Sequence, residues 1–317
     1  MNKGMKAIGG YFELELPIKK EYHADAIALN SGRFCFEYVL RCRKYKCIYV
    51  PLYTCDTAIE PVIRLGIPYK FYRIDRDFHL AEEITLQKDE ALLYTNYWGL
   101  KDAYCNELAL KYGKQLILDY TQAFFSRPID GIDTFYSCRK YFGVPDGGYL
   151  YTDAVADFPI EQDMSWERMS SLVKRIDLSP EEGYGDFCKI SGDFHDMPIR
   201  FMSKLSARIM CSIDYGSVAD KRRKNYEQLY DALGGMRLPE NAVPMVFPFL
   251  TENGVSLRRK LIGRKIYVAQ YWPNVLEWAD SECDETDICN NLIPLPVDQR
   301  YGEEDMVRII DSVCSNE

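Results

Sequence analysis

The chain has 317 residues, 47% of them hydrophobic and 27% charged, which excludes a disordered or collagen-like chain and allows one large domain with a smaller companion. No run of about 18 uninterrupted apolar residues could span a bilayer. The net charge of -9 argues against a nucleic-acid partner, whose phosphates call for a dominant basic face. In the first two thirds, short β-rich runs alternate with helical patterns, as in a parallel or mixed α/β sheet. Cys47 to Val50 reads as a strand stopped by Pro51. Ile59, Val62 and Ile63 then share one face of a helix from near Asp56 to Gly66, with Pro61 tolerated because it lies early. Further strands are expected at Tyr69 to Ile74, Ala91 to Tyr97, Gln115 to Leu118, Asp133 to Cys138 and Tyr149 to Thr152, with a helix from Ala103 to Tyr112. A sheet of six or seven strands follows.

From Phe158 to Asp196 the pattern weakens into a partly helical excursion around Met164 to Arg175. Tyr226, Leu229, Tyr230 and Leu233 recur at helical spacing before Gly234-Gly235, a C-terminal stop signal. That helix leads into a small domain with strands near Met245 to Phe249, Ile266 to Ala269 and Leu292 to Leu295. A last helix should turn Met306, Ile309, Ile310 and Val313 inward.

The eleven cysteines are odd in number and scattered from Cys35 to Cys314 on a chain larger than disulfide scaffolds, so reduced thiols are expected. His23, His79 and His195 form no pair at zinc-ligand spacing, and no metal is expected. Glu13 and Glu15 interrupt the early apolar run that a signal peptide needs, which points to the cytoplasm. The basic runs Arg41 to Lys46, Lys221 to Lys224 and Arg258 to Lys260 read as solvated helix faces.

Three stretches carry chemistry. In Ser137-Cys138-Arg139-Lys140-Tyr141-Phe142-Gly143-Val144-Pro145-Asp146-Gly147-Gly148 a lysine follows a strand end and precedes a glycine-rich turn; the order is the reverse of a Walker loop. Alone, it reads as an exposed structural lysine. Gln115 to Ala123 is a buried-type strand that delivers Asp119 at its C-terminal end, where α/β proteins contact ligands. A carboxylate there can pair with a protonated pyridine nitrogen and keep the ring an electron sink; a helix N-cap is the alternative. Leu29-Asn30-Ser31-Gly32-Arg33-Phe34 opens a helix whose free N–H groups suit a phosphate, or is simply a helix start.

Together and in this order, the three stretches resemble the DegT-type sugar aminotransferases, a branch of the fold-type-I pyridoxal-phosphate enzymes. The resemblance extends to Ile8-Gly9-Gly10-Tyr11-Phe12, Val50-Pro51-Leu52-Tyr53-Thr54-Cys55 and Met202-Ser203. It implies a large cofactor-binding domain over residues 1–215 with a mainly parallel seven-stranded sheet, a small C-terminal α/β domain over residues 216–317, and a homodimer. By resemblance Lys140 is the Schiff-base lysine, Asp119 the pyridinium partner and Gln122 the residue near the cofactor ring. Ser31, Gly32 and Arg33 form the phosphate turn, and Ser137 resembles the phosphate serine of the aspartate aminotransferases. Asp146-Gly147-Gly148 stands where the family has Glu-Gly-Gly.

The chain departs from the family pattern in several places. The family's serine lies five residues before the lysine, where this chain has Phe135. Its stacking aromatic is replaced by Cys55, so stacking is absent or comes from Tyr53. Its neighbour-subunit Asn aligns near Ile199, with Arg200 one position later as the substitute phosphate ligand. Asp119 and Lys140 are only 21 residues apart, which suggests a trimmed loop on the substrate side. The implied reaction is amino transfer from glutamate to a keto sugar, often nucleotide-linked. A related branch of lyases and dehydratases lacks the usual lysine, so Lys140 favours transfer. A catalytically silent homologue remains the reading outside enzymes.

Overall fold

The computed structural model describes residues 8–315. Nine strands form one sheet: β1 (Ile27–Leu29), β2 (Cys47–Pro51), β3 (Tyr69–Tyr72), β4 (Glu90–Thr95), β5 (Leu116–Tyr120), β6 (Asp133–Ser137), β7 (Gly148–Tyr151), β8 (Glu161–Gln162) and β9 (Arg200–Phe201). Their spatial order is β3-β2-β4-β5-β6-β7-β1-β9-β8. Strands β3, β2, β4, β5 and β6 run parallel, and β7 is antiparallel to both β6 and β1. The six strands from β3 to β7 are those read from the sequence; β1 is a seventh that was not placed, and β9 and β8 extend the sheet beyond it.

Central strands β4 and β5 are buried almost throughout, as a parallel sheet covered on both faces requires. One face packs against α1 (Gly32–Arg43) and α2 (Asp56–Arg64), where Phe34, Phe36, Ile59 and Val62 meet Ile117 and Phe135. The other face meets α3 (Asp102–Tyr112) and the C-terminal part of the chain in a second continuous core.

Three segments differ from expectation. The weak stretch after Phe158 holds α4 (Ser170–Asp177) and α5 (Pro180–Asp193). Helix α5 is announced locally: Ser179 accepts from the Glu182 N–H and Pro180 occupies the first turn, where no intrahelical N–H is needed. Beyond α6 (Lys204–Met210), the helix read from Tyr226 onward runs over Tyr215–Leu233 as α7. The strand expected at Ile266 to Ala269 is absent. Ile266 and Val268 are buried, yet the Ile266 N–H donates to Leu261 O, so their alternation reflects packing after α8 (Gly254–Gly263) rather than strand pairing. The C-terminal sheet is the antiparallel pair β10 (Val246–Leu250) and β11 (Leu292–Pro296) alone. Helices α9 (Val275–Trp278), α10 (Asp284–Asn291) and α11 (Glu303–Cys314) complete the chain, with Met306 and Ile309 buried and Ile310 and Val313 half-buried. Among the described residues no helix is long and apolar enough to cross a membrane.

Two basic runs are solvated only in part. Arg258 is buried and donates to Leu292 O at 3.2 Å. Arg222, 1% exposed, donates to Pro244 O at 3.0 Å, Met245 O at 3.1 Å and Gln299 Oε1 at 2.9 Å, and its guanidinium lies 4.4 Å from the Tyr141 ring centroid. It joins the C-terminal elements to the loop of Lys140. Arg222→Ala leaves those carbonyls unpaired and should cost at least about 3 kcal/mol in urea unfolding. Lysine should restore little of it, because a single ammonium cannot serve the same fork of acceptors.

His23 is buried, with Nε2 2.8 Å from Phe124 O and Nδ1 3.1 Å from Tyr151 Oη. Burial lowers its pKa from 6.5 to about 4. Between those values the unfolded chain binds a proton that the folded chain refuses, so this contribution is complete above pH 6.5 and is lost as pH falls toward 4. Between pH 7 and 4.5 wild type should lose about 2–3 kcal/mol more than His23→Gln in denaturant titrations.

Candidate active site

Strands β4, β5 and β6 end at the same edge, and the two expected reactive groups stand there. Asp119, one residue before the end of β5, shares its sheet face with Ile117 and α1. Lys140 lies three residues beyond β6, in a short turn, with its side chain open to solvent. Its Nζ donates to Thr121 Oγ1 at 2.9 Å, and the Thr121 N–H donates to Asp119 Oδ1 at 2.8 Å. Among the described residues Lys140 has no other hydrogen bond and no ion-pair partner. Burial raises the Asp119 pKa above its usual value, while the Lys140 charge and the hydrogen bonds from Thr121 pull it back down.

The Ser31-Gly32 turn reaches the same place. Ser31 caps α1, its Oγ accepting from the Phe34 N–H, and the first turn of α1 contains no acidic residue. A Cβ on Gly32 would lie 2.8 Å from Thr121 Cγ2 and 3.6 Å from Ser137 Cβ. Strand alternation puts Ser137 on the face of Phe135, but Phe135 is two residues deeper and stacks on Phe36 beneath α1. Only Ser137 is at the level of the turn.

The glycine pair after Asp146 has a packing reason. Gly147 has φ +122° and donates its N–H to Asn30 O at 2.8 Å. At Gly148 a Cβ would lie 2.6 Å from Ser31 C and 2.7 Å from Gly32 N, so β7 can touch the turn only without a side chain there.

The remaining expected residues fall as follows. Cys55 caps α2 near enough to Lys140 for that charge to oppose the burial-driven rise of its thiol pKa. Tyr53 is fully buried among Phe78, Tyr97 and Trp272, so its ring is already occupied. Gln122 is buried, its Oε1 accepting from the Trp98 N–H at 3.1 Å. Arg33 pairs with Glu60 at 2.5 Å. Ile199 is buried, and Arg200 Nη1 pairs with Asp163 at 3.3 Å while its buried Nε has no partner among the described residues. The Arg200 N–H donates to Asn30 Oδ1, beside the phosphate turn.

Sequence reading did not single out Thr121, Tyr141 or Arg139. Tyr141 donates to Gln122 O at 2.7 Å, and its own carbonyl accepts from Gln299 Nε2 at 2.8 Å. Local sequence carries no signal for such contacts, since Gln299 lies 158 residues away.

No protein-family model and no curated protein matches this chain. Solved structures do match. DesV from S. venezuelae, in complex with a ketimine intermediate, superposes with a TM-score of 0.64 at 19% identity, covering 91% of this chain and 83% of that one. Sugar aminotransferase CalS13 from Micromonospora echinospora gives 0.62 at 12%, covering 92% and 87%. A DegT DnrJ EryC1 StrS aminotransferase from Brucella abortus gives 0.58 at 15%, covering 91% and 84%. The chain therefore has the α/β fold of these aminotransferases, the fold that its three motifs led one to expect.

Gly148→Ala must push β7 off the turn and should cost about 1–3 kcal/mol. In the same loop a Cβ on Gly143 meets only Leu172 Cδ2 at 3.8 Å, so Gly143→Ala should stay within about 0.5 kcal/mol of wild type. Equal thermal shifts for the two variants would contradict the contact.

Proposed function

We propose that this protein is a pyridoxal-phosphate-dependent aminotransferase that moves an amino group from an amino-acid donor, glutamate by resemblance, to a keto sugar or a nucleotide-linked keto sugar. The observation that carries this reading is the Lys140–Thr121–Asp119 chain, in which a solvent-open amine meets the hydroxyl, and a buried carboxylate the backbone N–H, of one threonine. The donor set fits the cofactor: Lys140 is an amine without a counter-ion among the described residues, Asp119 is a buried carboxylate suited to a cationic ring nitrogen, and glycines line the turn where a phosphate would sit. When bound, pyridoxal phosphate supplies an electron sink for the substrate carbanion.

The roles of the chain's own groups follow. Lys140 Nζ would hold the cofactor and, once displaced by the donor amine, would move a proton between the substrate Cα and the cofactor's C4′ carbon. Thr121 Oγ1 positions that nitrogen. The Asp119 carboxylate keeps a proton on the ring nitrogen, and burial strengthens this pairing. Ser31, Gly32 and Ser137 face the phosphate. A homodimer is supported by exposed apolar side chains before and within α4, among them Met164, Trp166 and Ile176.

Borohydride reduction of the cofactor-loaded protein should add the cofactor mass at Lys140, and Lys140→Ala should lose both the label and amino transfer while keeping its fold. Transfer by the alanine variant at the wild-type rate would sink the assignment. Asp119→Asn should still bind cofactor but lower the ring-nitrogen pKa by roughly 1–3 units, slowing transfer by roughly 10- to 1000-fold.

A further inference from the structure

The segment after α8 crosses to the edge of the sheet where Lys140 stands. It lacks the strand pairing expected of Ile266 to Ala269 and is held by side chains instead. Gln270 Nε2 donates to Cys289 O at 3.3 Å, Cys289 Sγ donates to Trp272 O at 3.2 Å, and Asn274 Nδ2 donates to Thr54 O at 2.9 Å. Thr54 precedes Cys55, which is close enough to Lys140 to feel its charge. The Trp272 ring lies 5.0 Å from that of Tyr53 and 5.2 Å from that of Tyr271. The C-terminal part of the chain thus supplies one wall of the site, pinned to α10 on one side and to the start of α2 on the other.

Tyr271 lies between these anchors. It is half-buried, and its hydroxyl has no hydrogen bond among the described residues. Burial pushes its phenol pKa up, and the Cys55 thiol adds to the rise; the same phenol in turn acts on Tyr141, the residue after Lys140. Its hydroxyl is therefore flanked by the two residues nearest the amine on that side. A phenol held neutral in this way donates a hydrogen bond and does not serve as a base. The groups that act on it include no lysine or arginine. A carboxylate such as that of the amino donor calls for a charged partner, whereas a neutral phenol suits a neutral sugar oxygen.

We propose that Tyr271 is a specificity-determining residue of the acceptor half of the reaction, its hydroxyl donating to the sugar oxygen on the carbon next to the carbonyl that receives the amino group. The proposal rests on the aminotransferase reading above. It gives the anchors at Cys289 and Thr54 a purpose: they hold the phenol at a fixed place while its hydroxyl stays unbonded for the substrate.

The test follows the two half-reactions separately in the cofactor-loaded full-length protein, through the absorbance of the cofactor. Glutamate is the donor probe. The acceptor probe is whichever of a panel of keto hexoses linked to uridine, thymidine or guanosine diphosphate wild type turns over fastest. Tyr271→Phe should lower kcat/KM of the acceptor half roughly 5- to 100-fold, the cost of leaving one polar group unpaired, and leave the donor half within about twofold of wild type. With an acceptor that lacks the hydroxyl next to the carbonyl, wild type and Tyr271→Phe should become equal. The variant should also melt like wild type, because the hydroxyl has no partner to lose within the chain. Equal losses in both half-reactions, or an unchanged acceptor half, would overturn the proposal. So would a change in the cofactor's absorbance before any substrate is added, which would place the hydroxyl on the cofactor. Failure of borohydride labelling at Lys140 in wild type, or turnover of no member of the panel, would instead remove the reading on which the proposal rests, and the proposal with it.

Discussion

Thr121 joins the three parts of the site through three different atoms. Its hydroxyl accepts from Lys140, its backbone N–H donates to Asp119, and its methyl group fills the space that a side chain at position 32 would need. The lysine, the carboxylate and the phosphate turn therefore have one spatial reference, fixed at the end of a strand buried on both faces. A serine would keep the hydrogen bond but lose the methyl contact that seats the turn, and a valine would keep the contact but lose the hydrogen bond.

The central fold was legible because its signals are local. Each parallel strand is a short apolar run bounded by turn residues, and each observed boundary lies within about three residues of the reading. The edge strands were not legible, since β8 and β9 have two residues each and no periodicity to detect. The false strand at Ile266 to Ala269 shows the opposite limit: alternating burial and strand pairing produce the same pattern, and only a partner strand distinguishes them. Asp119, Lys140 and the Ser31-Gly32 turn could be named from motifs, but Thr121 and Arg139 were passed over beside them. What sets those two apart is what they touch on other elements: Thr121 meets Lys140, and Arg139 meets Ser191 of α5.

Charge was the least legible property. A run such as Lys221 to Lys224 looks like a solvated face, yet Arg222 within it is buried against backbone carbonyls while Lys224 meets Glu303 at the surface. Composition cannot separate them, because the difference lies in which turn of α7 faces Tyr141.

The position of Lys140 depends on the whole chain. The loop from Cys138 to Gly147 has no regular structure after its first turn, so its shape must come from outside contacts. Tyr141 is held by Gln299 and Arg222 from the C-terminal elements. The Asp146 carboxylate accepts from Ser203 N–H and Oγ, and that same hydroxyl caps α6 by accepting from the Ser206 N–H. Gly147 is held by Asn30, at the edge of the phosphate turn. Three anchors more than 50 residues away in sequence thus converge on one ten-residue loop, and loosening any of them moves the amine relative to Thr121. In this chain the constraint is therefore the set of anchors that brings a lysine to Thr121 at the end of β5.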